Sequence, residues 1–311
     1  MVSNFDLTIV GLASANPLAD VTTSLAPLGV VVEGARLLSD RGLSTIRDVW
    51  NFKVAVDGAR IVSELEGWVD QLRSQLNCGD VWLRPVGDVM SHPKLAVFDM
   101  DSTVIQVEVI TELAKLAGVG DRVDEITERC MAGELDFAQS FIERVKMLSG
   151  LSLAKVEQLA DSLPLMPGAE RVFRYLNRIG CTTALVSGGF TRYAAEVQRR
   201  LGIDFMCANE LSIRDGAVSG EAVLPIVDAQ RKADELVALA KQQGVSLHEC
   251  IAVGDGANDL KMMAVAGHGI AFQGKPLVQE QADYALNTLG LDGLLYWLGV
   301  SDSEYLSLVG V

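Results

Sequence analysis

Apolar positions follow one rhythm in the first third of the chain and another in the remainder. Leu7-Thr-Ile-Val10 predicts a short strand, and Pro17 starts a predicted helix that runs to about Ala26, before the breakers Pro27 and Gly29. Val30 to Leu38 and Thr45 to Val56 read as two further strands, the second with partial alternation. Arg60 to Leu76 carries apolar residues at Ile61, Leu65, Trp68, Val69, Leu72 and Leu76, which is helical spacing. Val81-Trp-Leu83 closes the unit as a fourth strand. The order β-α-β-β-α-β over residues 1–85 is that of an α+β ferredoxin-like fold. Pro85, Gly87, Ser91 and Pro93 mark a linker.

From Lys94 the pattern changes. Leu95-Ala-Val-Phe98, Thr182-Thr-Ala-Leu-Val186 and Cys250-Ile-Ala-Val253 are apolar runs too short for helices, and they read as buried strands. Predicted helices over Ala169–Ile179 and Arg231–Gln243 precede the second and third runs. Strands and helices alternating in this way imply an α/β core with a Rossmann-like parallel sheet over 94–311. An insert from Val107 to Met166 shows helical stripes (Leu113/Leu116/Ala117, Phe137/Phe141/Val145, Val156/Leu159/Leu163) and an i,i+4 pair, Glu125 and Arg129. It reads as a helical cap at 107–166. A second insert, Phe205–Val223, carries the hairpin signal Arg214-Asp-Gly216.

Composition then narrows the function. The 311 residues include 26 Lys+Arg and 41 Asp+Glu, a net charge of −15, which argues against nucleic acid and anionic membrane surfaces as partners. A pocket-sized anionic substrate stays open, because one cation reverses a local field. No run reaches the roughly 18 apolar residues of a membrane span, and Met1-Val-Ser-Asn-Phe-Asp6 lacks a secretory start. Five scattered cysteines (Cys78, Cys130, Cys181, Cys207, Cys250) form no C-x-x-C pair, so a soluble cytoplasmic protein without disulfides is expected.

Each apolar strand after Lys94 ends in small or charged residues: Asp99-Met-Asp-Ser-Thr103, Ser187-Gly-Gly189 and Gly254-Asp-Gly-Ala-Asn-Asp259. Ligands of open parallel sheets bind beyond the carboxyl ends of the strands, so these segments should converge. Asp99, Asp101, Asp255 and Asp259 would then share one small volume, where they cannot all stay ionised unpaired. An all-oxygen donor set points to Mg²⁺. Any one of these aspartates alone reads equally well as a cap or turn residue. Asp99 and Asp101, two apart on extended backbone, should face the same way. Ser187-Gly188-Gly189 at a strand-to-helix turn offers backbone N–H groups to an anion. A nucleophilic carboxylate, a second carboxylate, a metal and an anion cradle suit phosphoryl transfer through covalent capture. Gly269-Ile-Ala-Phe-Gln-Gly274-Lys275 has P-loop spacing, but Pro276 stands where a Ser/Thr is needed. Ser187 lacks the preceding Gly of a nucleophile elbow, and His92, His248 and His268 are scattered.

Asp99-Met-Asp-Ser-Thr-Val104, Ser187-Gly-Gly189, Lys232 and Gly254-Asp-Gly-Ala-Asn-Asp259 together resemble the four motifs of the haloacid dehalogenase superfamily, and within it the phosphoserine phosphatases. That resemblance implies hydrolysis of O-phosphoserine, the last step of L-serine synthesis, with Asp99 as nucleophile and Asp101 as acid and base. It implies phosphoryl contacts from Ser187, the Gly188 N–H and Lys232. Mg²⁺ would be bound by Asp99, the Asp101 carbonyl and Asp255, with Asn258 and Asp259 in support. In the cap, Glu108 is similar to the residue that takes the substrate ammonium, Arg144 to the one that pairs with its carboxylate, and Met131 and Phe137 to residues that close over it. Residues 1–85 resemble an ACT domain, which implies amino-acid sensing or a homodimer contact. Two other expectations stay open: a phosphotransferase of the same superfamily that passes the phosphoryl group to another amino-acid hydroxyl, and an amino-acid sensor with an inactive phosphatase domain.

Overall fold

The computed structural model describes residues 2–40, 48–57, 62–86, 92–131 and 134–310. The chain divides into two compact units, Met1–Pro93 with Tyr284–Val311, and Lys94–Asp283. The C-terminal segment therefore groups with the N-terminal unit, whereas the sequence pattern kept it in one catalytic unit over 94–311.

In the first unit, β1 (Val2–Val10), α1 (Pro17–Leu25), β2 (Val30–Leu37), β3 (Val49–Asp57), α2 (Val62–Leu76) and β4 (Val81–Pro85) follow the expected order. The sheet runs β2-β3-β1-β4, and its pairs are antiparallel. Positions 45–47 of the predicted second central strand and 60–61 of the predicted helix lie outside the described residues, as do Gly87 and Ser91 of the linker. The period-2 pattern is filled on both faces. Phe5, Leu7 and Ile9 enter a core with Val21, Leu25, Phe52, Val54 and Leu72. The opposite face carries Thr8, Asn51, Trp82 and Arg84, all buried. The C-terminal segment makes that burial possible: the Trp82 indole donates to Ala285 O at 2.8 Å, and Arg84 donates to Leu298 O at 3.1 Å.

The second unit comprises β5 (Leu95–Phe98), α3 (Val109–Ala117), α4 (Gly120–Met131), α5 (Phe137–Met147), α6 (Leu153–Asp161), α7 (Ala169–Arg178), β6 (Thr182–Phe190), α8 (Thr191–Leu201), β7 (Phe205–Asn209), β8 (Leu211–Arg214), β9 (Ala217–Ala222), α9 (Ala229–Gln243), β10 (Cys250–Gly254), α10 (Leu260–Val265), β11 (His268–Phe272) and α11 (Pro276–Gln281). The chain continues into β12 (Tyr284–Leu286), α12 (Gly293–Trp297) and α13 (Asp302–Val309). Within this unit the sheet order is β11-β10-β5-β6-β7, with β5 central and paired in parallel with β6 and β10. Residues of β5 and β10 are buried without exception, as continuous apolar runs require.

The cap is the four helices α3 to α6. Its entry and exit are clamped together: Met166 N donates to Val104 O, Gln106 N donates to Pro164 O, and Ile105 bridges Leu165. Arg129 lies 3.4 Å from both Glu134 and Glu143, so its charge ties α4 to the loop that follows it and to α5. The Asp215-Gly216 turn closes the β8–β9 hairpin with both residues at positive φ (50° and 76°), as a two-residue turn of this kind requires. Only part of the second predicted insert is a hairpin, because Phe205–Asn209 is the edge strand β7 of the main sheet.

Candidate active site

The carboxyl ends of β5, β6 and β10 carry the predicted chemistry. Lys232 is the centre of the arrangement. It sits in the first turn of α9, where the helix dipole disfavours a cation, yet its side chain is fully buried. Its ammonium lies 2.6 Å from Asp99 Oδ1 and 2.7 Å from Asp259 Oδ1. Burial alone would lower the Lys232 pKa; Asp259 and Asp99 outweigh it and hold the ammonium above its ordinary value.

Asp99 follows β5, and its N–H donates to Val253 O of β10 at 2.9 Å, which locks the two strand ends together. Asp101 is brought in differently from the expected alternation. The strand stops at Phe98, and the chain turns at once, with the N–H groups of Thr103, Val104 and Ile105 all donating to Met100 O. Ser102 takes φ 57° in that turn, and its hydroxyl donates to Glu108 Oε1 at 3.0 Å. Asp101 Oδ1 accepts the Val109 N–H at 3.2 Å, the start of α3. The carboxylate thus anchors the cap's first helix.

The Ser187-Gly188-Gly189 segment is extended backbone inside β6 rather than a turn, but its pairing with β7 breaks between Val186 and Phe190. Close approach explains both glycines. A Cβ on Gly189 would fall 2.6 Å from Asp101 Oδ2, and one on Gly188 would fall 3.1 Å from Phe137 Cζ of the cap. Ser187 Oγ is buried and accepts from Gly189 N at 2.8 Å. Asn209, which the sequence pattern did not single out, replaces the broken ladder: its Nδ2 donates to Gly188 O and its Oδ1 accepts from Val227 N, both at 2.8 Å. It ties the glycine segment to the residues just ahead of α9, hence to Lys232. A buried Asn at a strand end was the available signal.

Asp255 accepts from the Thr103 hydroxyl at 3.3 Å, and Asp259 Oδ2 accepts from Gly256 N at 3.0 Å. Asn258 stands beside Gly256 on the same turn. Carboxylate oxygens of Asp99, Asp255 and Asp259 lie within 4.8 Å of one another. Burial, with Asp259 and Glu108 nearby, pushes the Asp255 carboxyl up to about 7. Burial also drives Asp99 well above the carboxylate range, opposed by Lys232 and reinforced by Asp259, Asp255 and Asp101. Asp101 is raised by burial and by Glu108. Negative charge is in excess here and every donor is oxygen, which fits a hard divalent cation.

In the cap, Phe137 reaches Gly188, and Arg144 is half-buried one helical stripe further along α5. Burial lowers the Arg144 pKa, while Glu108, Cys130 and Asp101 raise it, so the guanidinium stands within the field of the cluster. Its Nε donates to Ser140 O at 3.3 Å. Met131 ends α4, and its side chain lies outside the described residues.

Residues 93–267 match the haloacid dehalogenase-like hydrolase family. A phosphoserine phosphatase of Mycobacterium tuberculosis is 40% identical over 291 residues, covering 94% of this chain and 70% of that protein. The crystal structure of a probable phosphoserine phosphatase from Vibrio cholerae superposes with a TM-score of 0.71 at 35% identity, covering 98% of this chain and 88% of that one. A solved phospho-aspartyl intermediate analogue of phosphoserine phosphatase superposes with a TM-score of 0.62 at 38% identity, covering 66% of this chain and 98% of its own. With the family match spanning more than half of its length and such relatives alongside, the chain belongs to the phosphoserine phosphatases of the haloacid dehalogenase superfamily.

Proposed function

We propose that the protein is a Mg²⁺-dependent phosphatase that hydrolyses O-phospho-L-serine to L-serine and phosphate, and so completes L-serine synthesis. The observation that carries this reading is the buried Lys232 ammonium held between Asp99 and Asp259 at the strand ends. A fixed cation there leaves Asp99 beside a positive charge that can receive phosphoryl oxygens.

Asp99 attacks phosphorus, the bond to the serine oxygen breaks, and Asp101, whose carboxyl burial raises above its ordinary range, gives that oxygen its proton. Asp101 then takes a proton from water as the water attacks the aspartyl phosphate, which frees phosphate and restores Asp99. Ser187 Oγ, the Gly188 N–H and Lys232 hold the phosphoryl oxygens in both steps. Asp99, Asp255 and the Asp101 carbonyl would hold Mg²⁺, with Asn258 and Asp259 supporting them, and the ion would neutralise charge on the phosphoryl group. Glu108 takes the substrate ammonium and Arg144 its carboxylate, a pairing that suits a zwitterion because Arg grips carboxylate with two parallel hydrogen bonds. Met131 and Phe137 close the cap over the substrate. The acidic composition and five free cysteines support a cytoplasmic setting, and the ACT-like unit is the expected homodimer contact.

The test is release of inorganic phosphate from a panel of phosphomonoesters with Mg²⁺ or with chelator. Turnover should be metal-dependent, strongest with O-phosphoserine, and should proceed without an added acceptor. Turnover that required a second amino-acid hydroxyl would favour the transferase instead.

A further inference from the structure

Asn209 closes β7 and is only 2% exposed, so both ends of its amide need partners inside the protein. Its Nδ2 donates to Gly188 O and its Oδ1 accepts from Val227 N, each at 2.8 Å. These partners fix which way the amide faces, because a backbone N–H only donates and a backbone carbonyl only accepts. Val227 holds the oxygen end and so turns the nitrogen end toward Gly188 O.

Gly188 O and Gly189 N–H belong to one peptide unit, and a trans peptide points them in opposite directions. That N–H donates to Ser187 Oγ at 2.8 Å. Asn209 and Ser187 therefore grip one rigid plane from opposite sides, and rotating the plane would lengthen both bonds. Strand pairing cannot hold it, since the register skips from Val186 with Cys207 to Phe190 with Asn209. Ser187 Oγ is fully buried and accepts the Gly189 N–H, while its own proton is donated to no group among the described residues.

We infer that Asn209 is a positioning residue for phosphoryl transfer: through the Gly188–Gly189 peptide it holds Ser187 Oγ so that the hydroxyl proton faces the phosphoryl oxygens. Asn209 itself touches no reacting atom. Closing a gap between strands would need only the bond to Gly188 O. The second bond, to Val227 eighteen positions along the chain, gives the amide its direction. This role rests on the phosphoserine reading above, in which Ser187 meets the phosphoryl group.

The test is a double-mutant cycle on the full chain, read in kcat/KM for O-phosphoserine and, separately, in affinity for inorganic phosphate with Mg²⁺ present. Ser187→Ala should lower kcat/KM about 100-fold, as loss of one preorganised donor does. Asn209→Ala should lower it about tenfold. Because Asn209 acts through Ser187, the double variant should fall within about threefold of Ser187→Ala alone, whereas independent roles would multiply to about 1,000-fold. Asn209→Leu keeps the side-chain shape without either hydrogen bond and should lose about as much as Asn209→Ala. Melting curves set an assay temperature at which every variant is folded. Losses that multiply, as a purely structural Asn209 would give, or parent-like turnover in Asn209→Leu would overturn the inference. A parent chain that binds phosphate yet releases none from O-phosphoserine would overturn the substrate reading alone, and the cycle in phosphate affinity would still decide the role of Asn209.

Discussion

Both units bury charge, and they dispose of it in opposite ways. In the first unit the buried groups Asp80, Asp302 and Arg84 are absorbed by the chain's own dipoles and rings. Asp80 accepts the Asn287 and Thr288 N–H groups at 2.9 and 2.8 Å; Asp302 accepts the Tyr296 hydroxyl at 2.9 Å; Arg84 donates to Leu298 O and lies over the Trp297 ring at 5.3 Å. In the second unit Asp99, Asp101, Asp255 and Asp259 gather around one ammonium, and neighbouring carboxylates add to the upward push of burial on the first three, where at Asp80 backbone N–H groups oppose it. Fully satisfied buried charge fixes a structure. Under-compensated buried charge marks a place where a ligand completes the electrostatics.

Asp99 carries the largest expected effect. Asp99→Asn should leave the melting temperature near that of the parent and lower kcat by about 10⁴-fold or more, because the nucleophile is lost. Substantial residual turnover would remove Asp99 from the chemistry. Lys232→Ala should be damaging on both counts. It strands two buried carboxylates, a change that costs about 3–5 kcal/mol, so thermal unfolding should shift down sharply and activity vanish. An unshifted melting curve would mean that the pair is not the buried keystone described above. Arg144→Ala should act on specificity. We expect kcat/KM for phosphoserine to fall about 100-fold, with much less change for a phosphomonoester lacking the carboxylate; an equal loss on both would exclude carboxylate recognition.

The smallest effect belongs to the first unit. Burial raises the Asp80 carboxyl from 3.8 against the opposing Thr288 and Asn287 N–H groups, so the folded chain holds that proton more tightly than the unfolded chain. Stability linked to Asp80 is thus full below pH 3.8 and declines as pH rises through the window above it. Asp80→Asn should flatten that slope in pH-dependent unfolding and leave turnover unchanged.

Much of this was legible in the sequence. Short apolar runs followed by Asp99, Ser187 and Gly254 marked the strands and the ends where the aspartates gather, because period and punctuation are local properties. The ferredoxin-like order was readable for the same reason. Two features were not, and a third, Lys232, was legible only through its resemblance to a family motif. Phe205–Asn209 is half-exposed and borders a strong hairpin signal, so its membership of the main sheet depends on pairing with residues about twenty positions away. The Leu291–Leu298 segment looks like any apolar helix, and nothing local says that it groups with the unit carrying Trp82 and Arg84. Lys232 looks like a surface lysine until the fold brings Asp99 and Asp259 around it. Such residues are defined by what surrounds them in space.

Acid quenching during turnover of O-phosphoserine carrying radiolabelled phosphorus shows whether Asp99 becomes covalently phosphorylated. A hydroxylamine-labile label should map to the peptide containing Asp99, and borohydride reduction of the trapped protein should convert that residue to homoserine. Phosphate release at full rate with no protein-bound label, or a label on any other residue, would contradict the account.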